Sequence, residues 1–155
     1  MGRKNSYDDI DELLNDIRSD IEETLMDDVF DEVREIELEH IERDVLSAYT
    51  PKIYERRASG GIDDPKNIVG YVKDMQLSVD NITQFNTGYG TKHRGTGLAQ
   101  LINDGDSFNG YFYDYPGEFN QPRPFLDHTI LEVEQSNRVE NALEKGMRKR
   151  KYDIS

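Results

Sequence analysis

The chain has 155 residues, 32 acidic against 19 basic side chains, a net charge of -13 and no cysteine. That length accommodates one domain with one modest core, and the lack of thiols excludes a disulfide framework and any thiolate metal site. Hydrophobic residues make up 35% of the chain and charged residues 33%, a balance that leaves part of the chain outside a compact core, as a projecting element or an arm that needs a partner.

The opening residues "MGRKNSYDDIDELL" turn acidic at once, without the apolar run of a signal peptide, and no later run is long enough to cross a bilayer. A soluble protein with no membrane partner is expected, with residues 1–6 as a flexible N-terminus, a single domain over 7–152 and a short tail at 153–155.

Between Asp8 and Tyr49 there are 17 acidic and three basic residues (Arg18, Arg34 and Arg43), which leaves 15 acidic and 16 basic for the rest. The same segment is the clearest helix in the chain. Ile10, Leu13, Leu14, Ile17, Ile21, Leu25, Val29, Val33, Ile36, Ile41 and Val45 fall mostly at three- and four-residue steps, and no Gly or Pro interrupts them before Pro51. A helix over about 8–49, at a rise of about 1.5 Å per residue, is a rod on the order of 60 Å, so one end projects. Its apolar stripe has heptad-like stretches that suit packing along a helix of another subunit. Asp20, Glu23, Asp27, Asp31 and Glu35 are expected on its exposed side. Three readings of that charge stand side by side: a solvated face, a surface that repels DNA and lets it slide past, or a mimic of DNA. Phosphate binding by the helix itself is excluded by sign.

After it, "YTPKIYERRASGGIDDPKN" reads as an irregular connection. Val69, Tyr71, Met75, Leu77 and Val79 alternate with polar or smaller residues, predicting an extended strand or a hairpin. "NTGYGTKHRGTG", Asn86 to Gly97, is a glycine-punctuated hairpin tip without the spacing of a phosphate-binding loop. "LAQLINDG" predicts one or two helical turns stopped by Gly105, and "FNGYFYDY" a further strand. Seven of the 15 aromatics lie between Phe108 and Phe125, without an interleaved basic cluster, which favours a packed sheet face or subunit contact over a base-stacking platform.

Candidate chemistry is sparse. Glu37 and His40 have the Glu-x-x-His spacing of carboxylate-bridged metal bundles, but neither His93 nor His128 has a carboxylate three residues before it, so the second pair such sites need is missing. "DGDSFNG" departs from a calcium loop at Phe108 and Tyr115. No nucleophile elbow or triad pattern is present. No catalytic residue, cofactor or metal is therefore expected.

The last informative stretch is "NQPRPFLDHTILEVEQ". Pro122 and Pro124 fix their own φ and push Gln121 and Arg123 into extended geometry, making a stiff strut. Phe125 and Leu126 can then dock before Asp127 or Thr129 caps a helix, Thr129 pairing with Glu132 in a capping box. That helix carries Ile130, Val133, Val139, Leu143 and Met147 and ends in "EKGMRKRK", whose cations suit a helix C-terminus.

In this order of segments, a long first helix, a small sheet, "GLAQLINDG" and a "PRPFL" lead into a last helix with a basic end, the chain resembles the neck or tail-completion proteins of long-tailed bacteriophages. "YTPKIYERRASGGIDDPKNI" looks like the variant found in phages of Gram-positive hosts. The resemblance covers about Tyr7 to Tyr152, and its specific part is "PRPFL" with the turn before it. It departs where "NIVGYVKDMQL" stands in place of a Gly-x-Leu-x-x-Ser stretch, and in the acidity of the first helix. The resemblance implies an α+β fold, a curved antiparallel sheet with a C-terminal helix packed on it. It also implies a homo-oligomeric ring at the head-to-tail junction, between portal or adaptor and tail-tube or tail-terminator proteins, that leaves a channel for DNA. The expected location is the virion, and the host cytoplasm during assembly. The rival expectation is an acidic DNA mimic that inhibits a host DNA-binding protein.

Overall fold

The computed structural model of the chain describes residues 9–48, 59–84, 97–105 and 121–152. The fold is α+β, with a long N-terminal helix, a two-stranded antiparallel sheet and C-terminal helices packed on the long one.

Asp9 opens the long helix, its carboxylate accepting from the Asp11 N–H at 3.0 Å. Helix α1 (Ile10–Thr24) runs through a wide π turn (Leu25–Val29) into α2 (Phe30–His40) and a second π turn (Ile41–Leu46). The backbone at Leu25, Phe30 and Ile41 is right-handed helical throughout, so the rod is continuous. What the periodicity did not predict is the two wide turns. Phe30 N–H reaches back five residues to the Leu25 carbonyl, and Ser47 N–H reaches the Glu42 carbonyl at 2.8 Å. Each wide turn inserts one residue and rotates the face that follows.

Strands β1 (Ile68–Lys73) and β2 (Gln76–Asn81) form a hairpin with Ile68 opposite Asn81 and Lys73 opposite Gln76. Asp74 (φ 51°) and Met75 (φ 62°) make its two-residue turn, the left-handed pair that matches strand twist. Glu22 on α1 accepts from the Met75 N–H at 3.3 Å, tying the turn to the helix. The expected alternation is present, but its phase in β1 needs correcting. A Cβ on Gly70 would lie 2.5 Å from the Phe30 ring, so Gly70 faces the helix with Ile68 and Val72, and Val69 and Tyr71 lie on the other face. Leu77 and Val79 of β2 do pack on the core. An apolar tally favoured Val69 and Tyr71 over a position where only glycine leaves room for a phenylalanine.

Gln84 bridges Gly97 in antiparallel fashion, and Leu98 N–H donates to the Thr83 carbonyl at 2.7 Å. Helix α3 (Leu98–Asp104) follows and stops at Gly105 (φ 66°), as its sequence predicts. The "FNGYFYDY" strand and most of the Asn86–Gly97 loop lie outside the described residues.

Arg123 N–H donates to the Ile102 carbonyl at 3.0 Å, so the Pro-Arg-Pro strut is fastened to the end of α3. Helix α4 (Phe125–Gln135) starts directly after it. The expected capping box does not form. Thr129 lies inside α4, donating its hydroxyl to the Phe125 carbonyl at 2.7 Å, and Glu132 points to His40 and Arg138. The cap comes from α3 instead, where Asn103 Oδ1 accepts from the N–H groups of Leu126 (3.0 Å) and Asp127 (3.4 Å). The single last helix is also two. Ser136 is extended (φ -98°, ψ 154°), and α5 (Arg138–Lys149) then runs along α1 and the first π turn. Gly146 permits that approach, since a Cβ there would lie 2.5 Å from the Thr24 methyl and 2.6 Å from the Asp28 carboxylate.

The core gathers Phe30, Ile41, Val45, Ile62, Ile68, Ala99 and Phe125, flanked by Leu38, Leu77, Val79, Ile102 and Leu126. Phe125, at 0% exposure, is at its centre.

Candidate functional site

The long helix presents three kinds of surface. The first is apolar. Ile10 is 73% and Leu14 56% exposed, and among the described residues Thr24 is the one buried position in α1. Two positions of the stripe in the first turns of α1, Ile10 and Leu14, are thus uncovered, whereas Leu13 and Ile17 are half-buried.

The second surface is acidic. Glu23, Asp27, Asp31 and Glu35 are exposed at four-residue steps, one row along the helix, and Asp20 is half-buried, accepting from the Tyr152 hydroxyl at 2.8 Å. Part of this charge is answered by the basic end of α5. Arg150 donates to Asp27 at 3.0 Å and Asp28 at 3.2 Å and sits 3.7 Å from Glu23, and Lys149 also pairs with Asp28. Burial raises the Asp28 pKa, but hydrogen bonds from Lys149 and Arg150 outweigh it and hold the carboxyl below its ordinary value. Asp31 is paired with Arg34 at 2.7 Å. Between the helix and α5 lies a groove of about 470 Å³, lined by Asp31, Glu32, Glu35, Arg138, Lys145 and Lys149 among others.

The third is a polar cluster where the long helix meets α4. Arg138 donates to Glu32 (2.5 Å) and Glu39 (2.7 Å) on α2 and to Glu132 (3.0 Å) on α4. Hydrogen bonding to Glu39 first, then to Glu32 and Glu132, raises its pKa above the usual guanidinium range despite burial. Glu132 Oε2 in turn lies 2.9 Å from His40 Nε2. His40 is 3% exposed, and its Nδ1 is 3.3 Å from Asp44 Oδ2, which lies 2.8 Å from His128 Nδ1. Burial pushes the Asp44 pKa up, but hydrogen bonds from Arg43, His128 and His40 prevail and hold it well below the usual carboxylate range.

Glu37, read in the sequence as a partner of His40, points elsewhere. It is 3% exposed, accepts from Asn81 Nδ2 at 2.9 Å, and its pKa is raised by burial. The sequence search missed the histidine cluster because Asp44 follows His40 by four residues rather than preceding it. The i, i+4 spacing of those two was legible, whereas His128 joins them only through the packing of α4. Of the strut residues, Pro122 is exposed, Arg123, Pro124 and Leu126 are half-buried, and Phe125 is buried.

No helix among the described residues is long and apolar enough to cross a membrane. No curated protein and no solved structure matches the chain. Residues 9–149 match the YomN family, whose name is phage-derived. The match runs from the cap of α1 to the last residue of α5, and the chain therefore belongs to the YomN family, a phage-related family.

Proposed function

We propose that this is a non-enzymatic structural protein of the phage particle, placed at the head-to-tail junction and working as a homo-oligomeric ring around the path of the DNA. The observation that carries the reading is the long helix with two uncovered faces. The apolar stripe of α1, with Ile10 and Leu14 exposed, suits a contact between subunits, because an amphipathic helix gains its stability by burying that stripe. The acidic row of Glu23, Asp27, Asp31 and Glu35 suits a channel wall, because carboxylates and phosphates repel within a Debye length of about 8 Å at physiological salt. Portal or adaptor and tail-tube or tail-terminator proteins are the neighbours this placement requires. It puts the protein in the virion, and in the host cytoplasm before assembly.

An acidic decoy for a host DNA-binding protein accounts for the net charge but not for the arrangement. A mimic presents anions spaced like phosphates over a whole face, whereas here Asp27 and Asp28 are engaged by Arg150 and Glu23, Asp27, Asp31 and Glu35 follow a single row along the middle of the long helix. The test is quantitative mass spectrometry of purified phage particles, counting this chain against the portal protein. A copy number matching one ring per particle is expected. Absence from the particle, with the protein abundant in infected cells, overturns the structural reading and favours the decoy.

A further inference from the structure

We propose that His40, Asp44 and His128 form a binding site for one divalent transition-metal ion of the Zn²⁺ class, which staples the long helix to α4. The site does not depend on the junction reading.

The three side chains each offer a ligand atom, and these atoms lie within 4.8 Å of one another. Asp44 Oδ2 is 3.3 Å from His40 Nδ1 and 2.8 Å from His128 Nδ1. Tetrahedral bonds of about 2.0–2.1 Å hold neighbouring ligand atoms a little over 3 Å apart, so small rotations of Asp44 and His128 complete the geometry around the buried His40. Two imidazoles and a carboxylate, with a fourth position left for water, are a donor set that Zn²⁺ accepts.

Proton bookkeeping at His40 gives the stronger reason. Glu132 Oε2 sits 2.9 Å from His40 Nε2, and an ionised carboxylate only accepts, so Nε2 carries the hydrogen. In the neutral ring Nδ1 then holds a lone pair, facing Asp44, which is itself an acceptor. That contact is satisfied either by a second proton on Nδ1, giving an imidazolium that donates to Asp44, or by another positive centre shared between the two. Arg43 supplies one here, donating Nε to Asp44 Oδ1 at 2.9 Å and Nη2 to Oδ2 at 3.2 Å, and meeting His40 Nδ1 with the same Nη2. Its side chain is 61% exposed, so it can swing into water when a metal ion arrives. The carboxylate–histidine pair formed by Glu132 and His40 is the second shell that orients a metal-bound imidazole, and Arg138 holds Glu132 in place.

His40 comes from α2, Asp44 from the π turn that follows it and His128 from α4, so two rigid elements set the geometry. The His128 side chain is 41% exposed and leaves a path from solvent. The alternative is a cluster of ion pairs in which Arg43 and protonated histidines supply the positive charge.

The experiment uses the full chain without a histidine tag, titrated with Zn²⁺ by calorimetry and with Co²⁺ by visible absorption. One equivalent of Zn²⁺ binding in the micromolar range or tighter, with Co²⁺ bands of a tetrahedral site, is expected. Saturating Zn²⁺ should raise Tm by about 5 °C or more. His128→Ala, at a half-exposed position, and the isosteric Asp44→Asn should each weaken Zn²⁺ binding about tenfold or more. Arg43→Gln should tighten it, since a competing cation is removed. No response to Zn²⁺, or binding that survives His128→Ala and Asp44→Asn undiminished, overturns the site and leaves the ion-pair cluster.

Discussion

Glu37 is the residue whose burial works against the fold at neutral pH. Glu37 as a whole is 3% exposed, and its pKa is raised above the ordinary 4.5, by burial first, against the lowering hydrogen bond from Asn81. A raised folded-state pKa means stability that is fully present below the unfolded value and lost as pH rises through the folded one. Glu37→Gln keeps an acceptor for Asn81 and carries no charge, so it should raise Tm at pH 7 and leave it nearly unchanged at pH 4. Equal effects at both pH values would assign the change to packing instead. Phe125 tests the opposite case, a fully buried ring at the centre of the core. Phe125→Ala should cost about 3–5 kcal/mol in chemical denaturation. A variant that melts normally but fails to assemble would move Phe125 to a subunit contact.

Among the elements, the long helix was legible because its apolar steps run unbroken from Ile10 to Val45. Its π turns were not, since the apolar list keeps its four-residue step across both of them, from Leu25 to Val29 and from Ile41 to Val45. The hairpin was legible in period and misread in phase, because a glycine contributes nothing to an apolar tally yet Gly70 is what admits Phe30. The capping box was misread for a related reason. Thr129 and Glu132 have the right spacing, but Asn103 already supplies the cap from α3, a contact between residues far apart in the chain. Asn103 is 4% exposed and also donates to Asp104 at 3.0 Å and Asp127 at 3.3 Å. Asn103→Ala should therefore cost about 1–2 kcal/mol by equilibrium denaturation, and a loss below about 0.5 kcal/mol would show that water caps α4 equally well. The histidine cluster belongs to the same class of illegible features, because it is made by docking α4 and not by any local spacing.

At the scale of the whole molecule, charges separated in sequence are brought together in space. The acidic N-terminal half and the basic end of α5 look like separate features in the chain, yet Lys149 and Arg150 close on Asp27 and Asp28. The acidic row that remains exposed is narrower than the net charge implies. If it lines a channel, replacing Glu23, Asp31 and Glu35 together with Lys should slow genome ejection while particle assembly stays normal. Ejection at the wild-type rate from fully assembled particles would remove the channel-wall role.

The antiparallel bridge between Gln84 and Gly97 has a consequence for how such a protein can diversify. With Leu98 also bonded to Thr83 across the gap, the two ends of the intervening segment are held together by the fold on either side. Closing a longer loop between fixed ends costs only about 0.6 kcal/mol for each doubling of its length. An epitope or fluorescent peptide spliced between Gln84 and Gly97 should therefore leave Tm within a few degrees of the parent.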